Sequence, residues 1–328
     1  MTKKEELIKV LTLLLDDKKS KNETFKVRAY NNVIGVLRRY DGEINEIKDL
    51  DDIPNLTKKG SIYNKIVEYL DTGKIKEIEQ IDNYSVIYKE LSKIYGIGPT
   101  KAKELINKKG IKSITDLKKK LEEDDDLLNK KQKIGLKYYK ELEKRIPSEE
   151  IEEHKKYIKR CINEIDKDGQ LKYEVTGSNR RGESSSGDID ILFTAKNNDK
   201  KLFNKIIKKL LKEGYIKETL AKGDKKFMGI SKLDNKDVHR RIDMIYSENY
   251  PFALLYFTGS GDFNVEMRNH ALSLGYSLNE YGLKKDGEFV KNNNKDFETE
   301  EDIFKFLKLK YIEPKKRKAG MIEKIKIK

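Results

Sequence analysis

Residues 177–190 of the chain, Gly-Ser-Asn-Arg-Arg-Gly-Glu-Ser-Ser-Ser-Gly-Asp-Ile-Asp, constrain its fold more than any other stretch. A short β-like run over residues 173–176 stops at Gly177-Ser178, where exposed backbone N–H groups can meet an anion. Two arginines follow, and a Ser-Gly turn leads into an Asp-x-Asp strand. Residues i and i+2 of a strand point to the same face. Asp188 and Asp190 can therefore share a metal pair, with the spacing of roughly 3.5–4 Å found in two-metal sites. Hard oxygen ligands favour Mg²⁺ or Mn²⁺ over zinc. Alone, an Asp-x-Asp pair is more often a solvated turn or strand edge; the Gly-Ser end and the arginine pair reverse that reading. A third carboxylate, Asp243, stands in Arg240-Arg241-Ile242-Asp243-Met244-Ile245. An acid between apolar neighbours is costly unless it binds something. A salt bridge to Arg241 or Arg240 is its alternative role.

The patterning around these acids is that of a mixed α/β domain. Helices are expected at about 149–166 and 200–213, the second Lys-rich, and strands at 173–176, 188–194 and 241–246. Upstream, residues 1–80 place Leu7, Val10, Leu11, Leu14 and Leu15 on one helical face and Val33, Ile34, Val36 and Leu37 on another. This is a small helical module. A second helical stretch, about 81–146, carries Gly96-Ile97-Gly98-Pro99 and ends before Pro147. Beyond residue 250 an aromatic run over 250–257 gives way to a helix around 264–274 and a polar C-terminal segment. No long-period repeat of solenoid type is present.

At 328 residues the chain exceeds one ordinary core. Its 71 Lys and Arg stand against 57 Asp and Glu, a formal balance of +14, and the excess is spread through periodic apolar segments rather than gathered in a tail. A folded protein with a polyanionic partner is the natural inference. The single cysteine, Cys161, rules out a disulfide framework or a Cys-rich zinc site and reads as a buried small side chain. No stretch approaches the roughly 18 apolar residues of a membrane span, and the N-terminus lacks the layout of a secretory signal. A protein of the nucleus or cytoplasm is expected, with no membrane partner. Residues 314–318, Pro-Lys-Lys-Arg-Lys, have the look of a nuclear localisation signal, although such runs arise easily by chance in so Lys-rich a chain.

The Gly-Ser to Asp-x-Asp segment resembles the nucleotidyltransferase core, and nearly the whole chain is similar to the X family of DNA polymerases, most closely its beta type. The motifs that carry the resemblance are Gly96-Ile97-Gly98-Pro99, Lys133-Ile134-Gly135-Leu136-Lys137-Tyr138-Tyr139, Glu143-Lys144-Arg145-Ile146-Pro147, Lys226-Phe227-Met228-Gly229, His239-Arg240-Arg241-Ile242-Asp243, Tyr256-Phe257-Thr258-Gly259-Ser260 and Asn279-Glu280-Tyr281. Chance agreement at that many ordered positions is remote. The resemblance implies a multidomain α+β protein: a helical 5′-deoxyribose-phosphate lyase-like module (1–80), a helical DNA-binding thumb with a helix-hairpin-helix (81–147), a nucleotidyltransferase palm with a mixed sheet (148–249) and a small α+β, fingers-like subdomain for nascent-pair and dNTP selection (250–328). The activity it implies is template-directed gap filling in base excision repair.

The resemblance also implies roles. Asp188 and Asp190 would hold two Mg²⁺ ions, for which Mn²⁺ can substitute, and Asp243 would complete the catalytic metal site and act on the primer 3′-hydroxyl. Gly177, Ser178, Arg181, Ser186, Gly187 and Arg145 match positions that cradle the triphosphate. Tyr256, Phe257 and Gly259 fall where the family packs the sugar and excludes a ribose 2′-hydroxyl, with core packing as the alternative for the two aromatics; Asn264 and Arg268 match residues over the nascent pair and template. Contacts to gapped or nicked duplex DNA are implied for Lys26, Tyr30, Gly96, Gly98, Lys226, Arg241, Arg268 and Tyr281, and a monovalent cation for the helix-hairpin-helix. Lys65, in Tyr63-Asn64-Lys65-Ile66, matches the Schiff-base nucleophile of the lyase module, with Lys26, Tyr30 and Lys74 at or beside supporting positions. A monomer is expected.

Two departures stand out. Where the family's first hairpin has a Gly-x-Gly turn, this chain reads Leu56-Thr57-Lys58-Lys59-Gly60-Ser61, and Ser61 stands where a phosphate-binding lysine is common. Gly261 stands where beta-type enzymes carry an acid facing the incoming base, with Asp262 beside it. Two rival functions carry weight: a template-independent or RNA-directed nucleotidyltransferase, since such enzymes share the core, and a DNA-binding module with a decayed site. All three carboxylates are present, which argues against the second.

Overall fold

The structure, a computed structural model, describes residues 2–81, 83–292 and 295–327. Met1 and Lys328, the outer ends of the first and last modules read from the sequence, lie outside the described residues. The chain divides into two compact units, Met1–Tyr139 and Lys140–Lys328.

The first unit is helical. Its opening helices are α1 (Lys3–Ser20), α2 (Thr24–Arg39), α3 (Ser61–Thr72) and α4 (Lys76–Glu79). A capping box between Thr2 and Glu5 starts α1, satisfying two donors that a helix start otherwise leaves bare. Leu7, Leu11 and Leu14 then recur on one face and are fully buried with Tyr30, Ile34, Leu37, Ile66 and Leu70. Gly73, in the left-handed conformation, closes α3.

A separate core is built from α5 (Asn83–Lys93), α6 (Pro99–Asn107), α7 (Ile114–Glu123) and α8 (Lys130–Leu142), around Leu91, Ile97, Ala102, Leu105 and Leu117. Gly135 of α8 packs so close to the Tyr95 carbonyl that a Cβ would stand 2.2 Å from its oxygen. Only glycine allows that approach.

The second unit contains a five-stranded mixed sheet, ordered β2 (Leu171–Val175), β4 (Ile189–Ala195), β7 (Arg240–Tyr246), β6 (Lys226–Ser231), β5 (Ile216–Lys222). Only β4 and β7 run parallel. A two-stranded pair, β1 (Ile146–Pro147) with β3 (Ser185–Ser186), flanks it. Alternation assigns the faces. Ile189, Ile191, Phe193 and Ala195 of β4 and Ile242, Met244 and Tyr246 of β7 join the core formed with α9 (Ser148–Ile165) and α11 (Lys200–Lys212). Leu192 turns the other way, to Tyr250 and Ala253 of α12 (Tyr250–Thr258). Asp190 and Asp243 are left on that second face.

The rest of the unit is less polar in its packing than its sequence suggests. After the helical turn α10 (Gly177–Arg180) and helices α12 and α13 (Gly261–Ser273) come a three-stranded sheet of β8 (Ser277–Asn279), β9 (Gly282–Lys285) and β10 (Glu288–Phe289), α14 (Glu300–Phe306) and α15 (Met321–Ile325). Phe263, Met267, Leu283, Ile303, Phe304, Leu307 and Ile322 form its core. Within the basic run, Pro314 and Arg317 are buried, so residues 314–318 are not a free basic peptide. Among the described residues no helix is long and apolar enough to cross a membrane.

Candidate active site

Two clusters of chemically capable side chains stand out, one in each unit. In the second unit the ladder of β4 and β7 puts Asp190 directly beside Asp243. Asp188, in the bend just before β4, brings its carboxylate to the same place, and ligand atoms of all three lie within 4.8 Å of one another. The crowding shows in their chemistry. Burial, together with the Asp243 charge, pushes the Asp190 carboxyl up to about 6, an effect that Lys226 and Arg181 offset only in part. Burial likewise raises Asp243, with Arg241 and Lys226 opposing.

Arg241 is the group that holds the acids as they stand. Its Nη2 pairs with Asp188 Oδ2, and its Nε lies 3.7 Å from Asp243 Oδ1. That oxygen and that nitrogen are nevertheless buried without a hydrogen-bond partner. A buried carboxylate oxygen lacking a donor, inside a trio of acids, is the chemistry of a cation site. The three residues fit a divalent metal centre. Arg240 plays no part in it: it forms a bidentate pair with Glu150 at 2.6 and 2.8 Å and donates to the Lys144 carbonyl.

The Gly-Ser turn borders this cluster. Gly177 has φ +61°, a left-handed backbone open to glycine, and the Thr176 amide donates to the Asp190 carbonyl at 2.9 Å. Ser178 Oγ donates to Ser186 Oγ at 2.8 Å. Arg145 Nε donates to Ser185 Oγ at 3.0 Å, and Gly187 stands next to the same guanidinium. Arg181 donates to the Thr258 carbonyl at 2.8 Å, which links the turn to the end of α12. There Tyr256 and Phe257 meet edge to face at 5.2 Å, half-buried, and Asn264 donates from Nδ2 to the Tyr256 carbonyl at 2.6 Å. Gly259 has φ +71°. Arg268 lies on α13, half-buried, whereas Tyr281 and Lys226 are exposed. Asp262 follows Gly261 in the first turn of α13.

In the first unit Lys65 lines a cleft of about 520 Å³ with Lys18, Lys26, Tyr30, Lys59, Ser61 and Glu77 among its walls. Its Nζ donates to Ser61 Oγ at 2.5 Å and lies 3.0 Å from Glu77 Oε2. Ser61 opens α3 after Gly60, whose φ is +102°. Tyr30 is 2% exposed, and its hydroxyl has no hydrogen-bond partner. Lys26 is exposed and pairs with Glu23; Lys74 is exposed. Away from the cleft, Gly96 has φ +85° and its carbonyl accepts from Gln132 Nε2 at 2.9 Å. Gly98 caps α6 with open space where a Cβ would be.

Sequence reasoning missed three groups here. Glu77, beside Lys65, sits in a Lys-Glu-Ile-Glu run with no motif. The sequence points only to a salt bridge of Asp243 with Arg241 or Arg240, not to Arg241 as the partner of both Asp188 and Asp243. Glu300, which binds Arg180 and Arg317, lies in an acidic helix start, where a solvated charge is the default expectation.

Comparison with known proteins covers almost the entire chain. Family models match in series: a helix-hairpin-helix domain over residues 2–75, the fingers domain of DNA polymerase lambda over 89–143, the DNA polymerase beta palm over 145–249 and the DNA polymerase beta thumb over 253–318. The segment expected above as a thumb thus matches a fingers model, and the fingers-like segment matches a thumb model; the labels exchange while the order stands. DNA polymerase lambda of Rattus norvegicus is 28% identical over 316 residues, which are 90% of this chain and 53% of the relative. DNA polymerase lambda of Arabidopsis thaliana is 27% identical over 312 residues, 88% and 57% of the two chains. DNA nucleotidylexotransferase of Xenopus laevis is 28% identical over 334 residues, 89% and 64%. The chain therefore spans between about half and two thirds of the length of these relatives. With its carboxylate trio on the palm segment and its matches running in one order from residue 2 to residue 318, the chain belongs to the X family of DNA polymerases.

Proposed function

We propose that this chain is a template-directed DNA polymerase that fills short gaps in base excision repair, with a second, 5′-deoxyribose-phosphate lyase activity at Lys65. The observation that carries the polymerase reading is the carboxylate trio, Asp188, Asp190 and Asp243, with ligand atoms within 4.8 Å of one another. Two Mg²⁺ ions held there, or Mn²⁺ in their place, would supply Lewis acidity toward the attacking hydroxyl and the transferred phosphoryl group. Asp188 and Asp190 would hold both ions, and Asp243, on the neighbouring strand, would orient the primer 3′-hydroxyl. Release of Arg241 from Asp188 would accompany loading of the site and free its guanidinium for DNA.

The remaining residues bind and exclude. The backbone at Gly177-Ser178, with Ser186 and Gly187, would cradle the triphosphate, and Arg181 and Arg145 would offset its charge. Tyr256, Phe257 and Gly259 would close against C2′ of the sugar, and Asn264 and Arg268 would lie over the nascent pair. Lys226, Arg241 and Tyr281 would contact the DNA from this unit. Lys26, Gly96 and Gly98 would do so from the first, with a monovalent cation at the Gly96–Gly98 turn, whereas Tyr30, 2% exposed with its hydroxyl buried, would support the Lys65 cleft from within rather than meet DNA. In keeping with these roles we assign the four modules to residues 1–80, 81–147, 148–249 and 250–328, the protein acting as a monomer. For the lyase, Lys65 lies in a cleft beside three further lysines and an unpartnered Tyr30 hydroxyl, which supports a site for a phosphorylated sugar.

The test is primer extension on 5′-phosphorylated gapped DNA with Mg²⁺, comparing deoxy- with ribonucleotides, with and without a template base. Templated insertion of deoxynucleotides is expected. Equal extension without a template would overturn the reading in favour of terminal addition, the activity that the nucleotidylexotransferase relative makes the natural competitor.

A further inference from the structure

Lys65 does not stand alone in its cleft. Glu77 reaches it from α4, with Oε2 3.0 Å from the Lys65 Nζ, and its other oxygen, Oε1, is 2.7 Å from the Lys18 Nζ. Lys18 in turn is 2.9 Å from Asp17 Oδ2. Glu77 is the one acid among the residues that line the cleft. Burial pulls its carboxyl up, yet hydrogen bonds from Lys18 and Lys65 outweigh that and hold it below the usual carboxylate range. It is a carboxylate at neutral pH, fixed at both oxygens.

We propose that Glu77 is the base that removes the C2′ proton from the imine formed between Lys65 and the opened deoxyribose. The proposal rests on the lyase reading of Lys65 given above. The geometry follows from bond lengths. Once Nζ is joined to C1′, atom C2′ lies roughly 2.5 Å from Nζ, so an oxygen held 3.0 Å from Nζ comes within reach of a C2′ hydrogen. The iminium nitrogen keeps its positive charge, so the attraction that places Glu77 beside Lys65 survives imine formation.

Proton transfer to the Glu77 carboxylate leaves the C2′–H electron pair as a C1′=C2′ bond and makes the nitrogen a neutral enamine. The nitrogen lone pair then re-forms the iminium, C2′=C3′ forms, and the C3′–O bond breaks with its pair leaving on the phosphate. Water hydrolyses the conjugated imine and restores Lys65. Lys18, on the far oxygen, keeps Glu77 ionised and aimed, and Ser61 fixes the position of Nζ.

Imine formation and elimination can be measured separately with the full chain on DNA carrying an incised abasic site. Borohydride captures the imine, and appearance of the 5′-phosphorylated strand reports elimination. E77Q is expected to retain the adduct, with an increased trapped fraction, while elimination slows by about 100-fold. E77D should fall between, and formate should restore elimination to E77A, an outcome a misfolded variant would not give. Elimination by E77Q within threefold of wild type would overturn the assignment, as would joint loss of adduct and elimination in E77Q and E77A without formate rescue. Absence of any adduct with the wild-type chain is a different result: it would remove the lyase reading itself.

Discussion

A Cβ built on Gly177 stands 2.6 Å from Oδ2 of Asp190. The nearest atom is the end of a side chain, so the fold can accommodate a methyl group there by moving the carboxylate. The function proposed for Asp190 cannot. Gly177→Ala is expected to cost about 1 kcal/mol of stability, from the φ of +61°, and at least about 100-fold in nucleotide incorporation. A denaturation curve paired with single-turnover insertion checks both halves; insertion within threefold of wild type would show that the tight approach is irrelevant to catalysis.

Asp190 beside Asp243 makes the metal-free protein less stable than it could be. The folded-state carboxyl of Asp190 is pushed up to about 6 from 3.8, so the folded state holds its proton more tightly than the unfolded chain does. The sign is that stability is lost as pH rises from about 3.8 to about 6 and stays lost above. After discounting for solvent screening the effect is on the order of 1–2 kcal/mol. Asp190→Asn should therefore raise the melting temperature of metal-free protein at pH 7.5 and not at pH 4, while abolishing synthesis. Mg²⁺ should stabilise wild type and leave the variant unmoved. A variant less stable than wild type at pH 7.5 without metal would contradict the repulsion.

What the sequence revealed and what it hid divide along physical lines. Strands β4 and β7 and helices α9 and α11 are legible because alternation and helical periodicity are local patterns; Asp188 and Asp190 are legible from the Gly-Ser end and arginine pair that precede them, and Asp243 because it interrupts an apolar run. The parallel pairing that sets Asp190 against Asp243 spans 53 residues and leaves no local trace. Strands β5 and β6 leave little trace in the sequence, since Lys217, Lys222 and Lys226 dilute their alternation. The C-terminal segment is polar along its sequence, yet Phe297, Ile303, Phe304 and Leu307 are buried in it; its apolar residues are few and find each other only in three dimensions. Glu300 and Glu77 belong to the same class, for a charged residue is solvated by default and only its partners say otherwise.

Glu300 joins two distant parts of the second unit. It accepts from Arg180 at 3.1 and 2.7 Å, next to the Gly-Ser turn, and from Arg317 at 2.5 Å. The Arg317 side chain is fully buried and lies over the rings of Phe304 and Tyr311. Removing the acid leaves two cations without a counter-charge in low dielectric, which costs more than the pair contributed. Glu300→Ala is expected to lose about 3 kcal/mol or more, and Glu300→Gln somewhat less because it keeps an acceptor oxygen. Urea titration of each variant gives the number. A loss below 1 kcal/mol in both would mean that water reaches the arginines.

His154 gives the second unit an acid-sensitive point that is not part of the carboxylate trio. It is 1% exposed, its Nδ1 shares a hydrogen bond of 2.7 Å with the Tyr215 hydroxyl, and its Nε2 has no hydrogen-bond partner, with Glu150 Oε1 at 3.7 Å. Burial lowers its pKa to about 4 from 6.5, although Glu150 pulls the other way. Below 6.5 the unfolded chain takes up a proton that the folded state refuses until about pH 4. Stability is therefore full above pH 6.5, falls as pH drops toward 4 and levels off beneath, a loss of about 3 kcal/mol from this one group. Several carboxylates, Asp17 among them at about 2, lose their stabilising charge at lower pH, so the two effects separate on the pH axis. His154→Gln can keep a hydrogen bond to Tyr215 and does not titrate. Its stability should change less than that of wild type between pH 6.5 and 4.5, measured by urea denaturation at closely spaced pH values. Parallel curves for the two proteins over that interval would show that His154 is already protonated in the fold, with Glu150 as its partner.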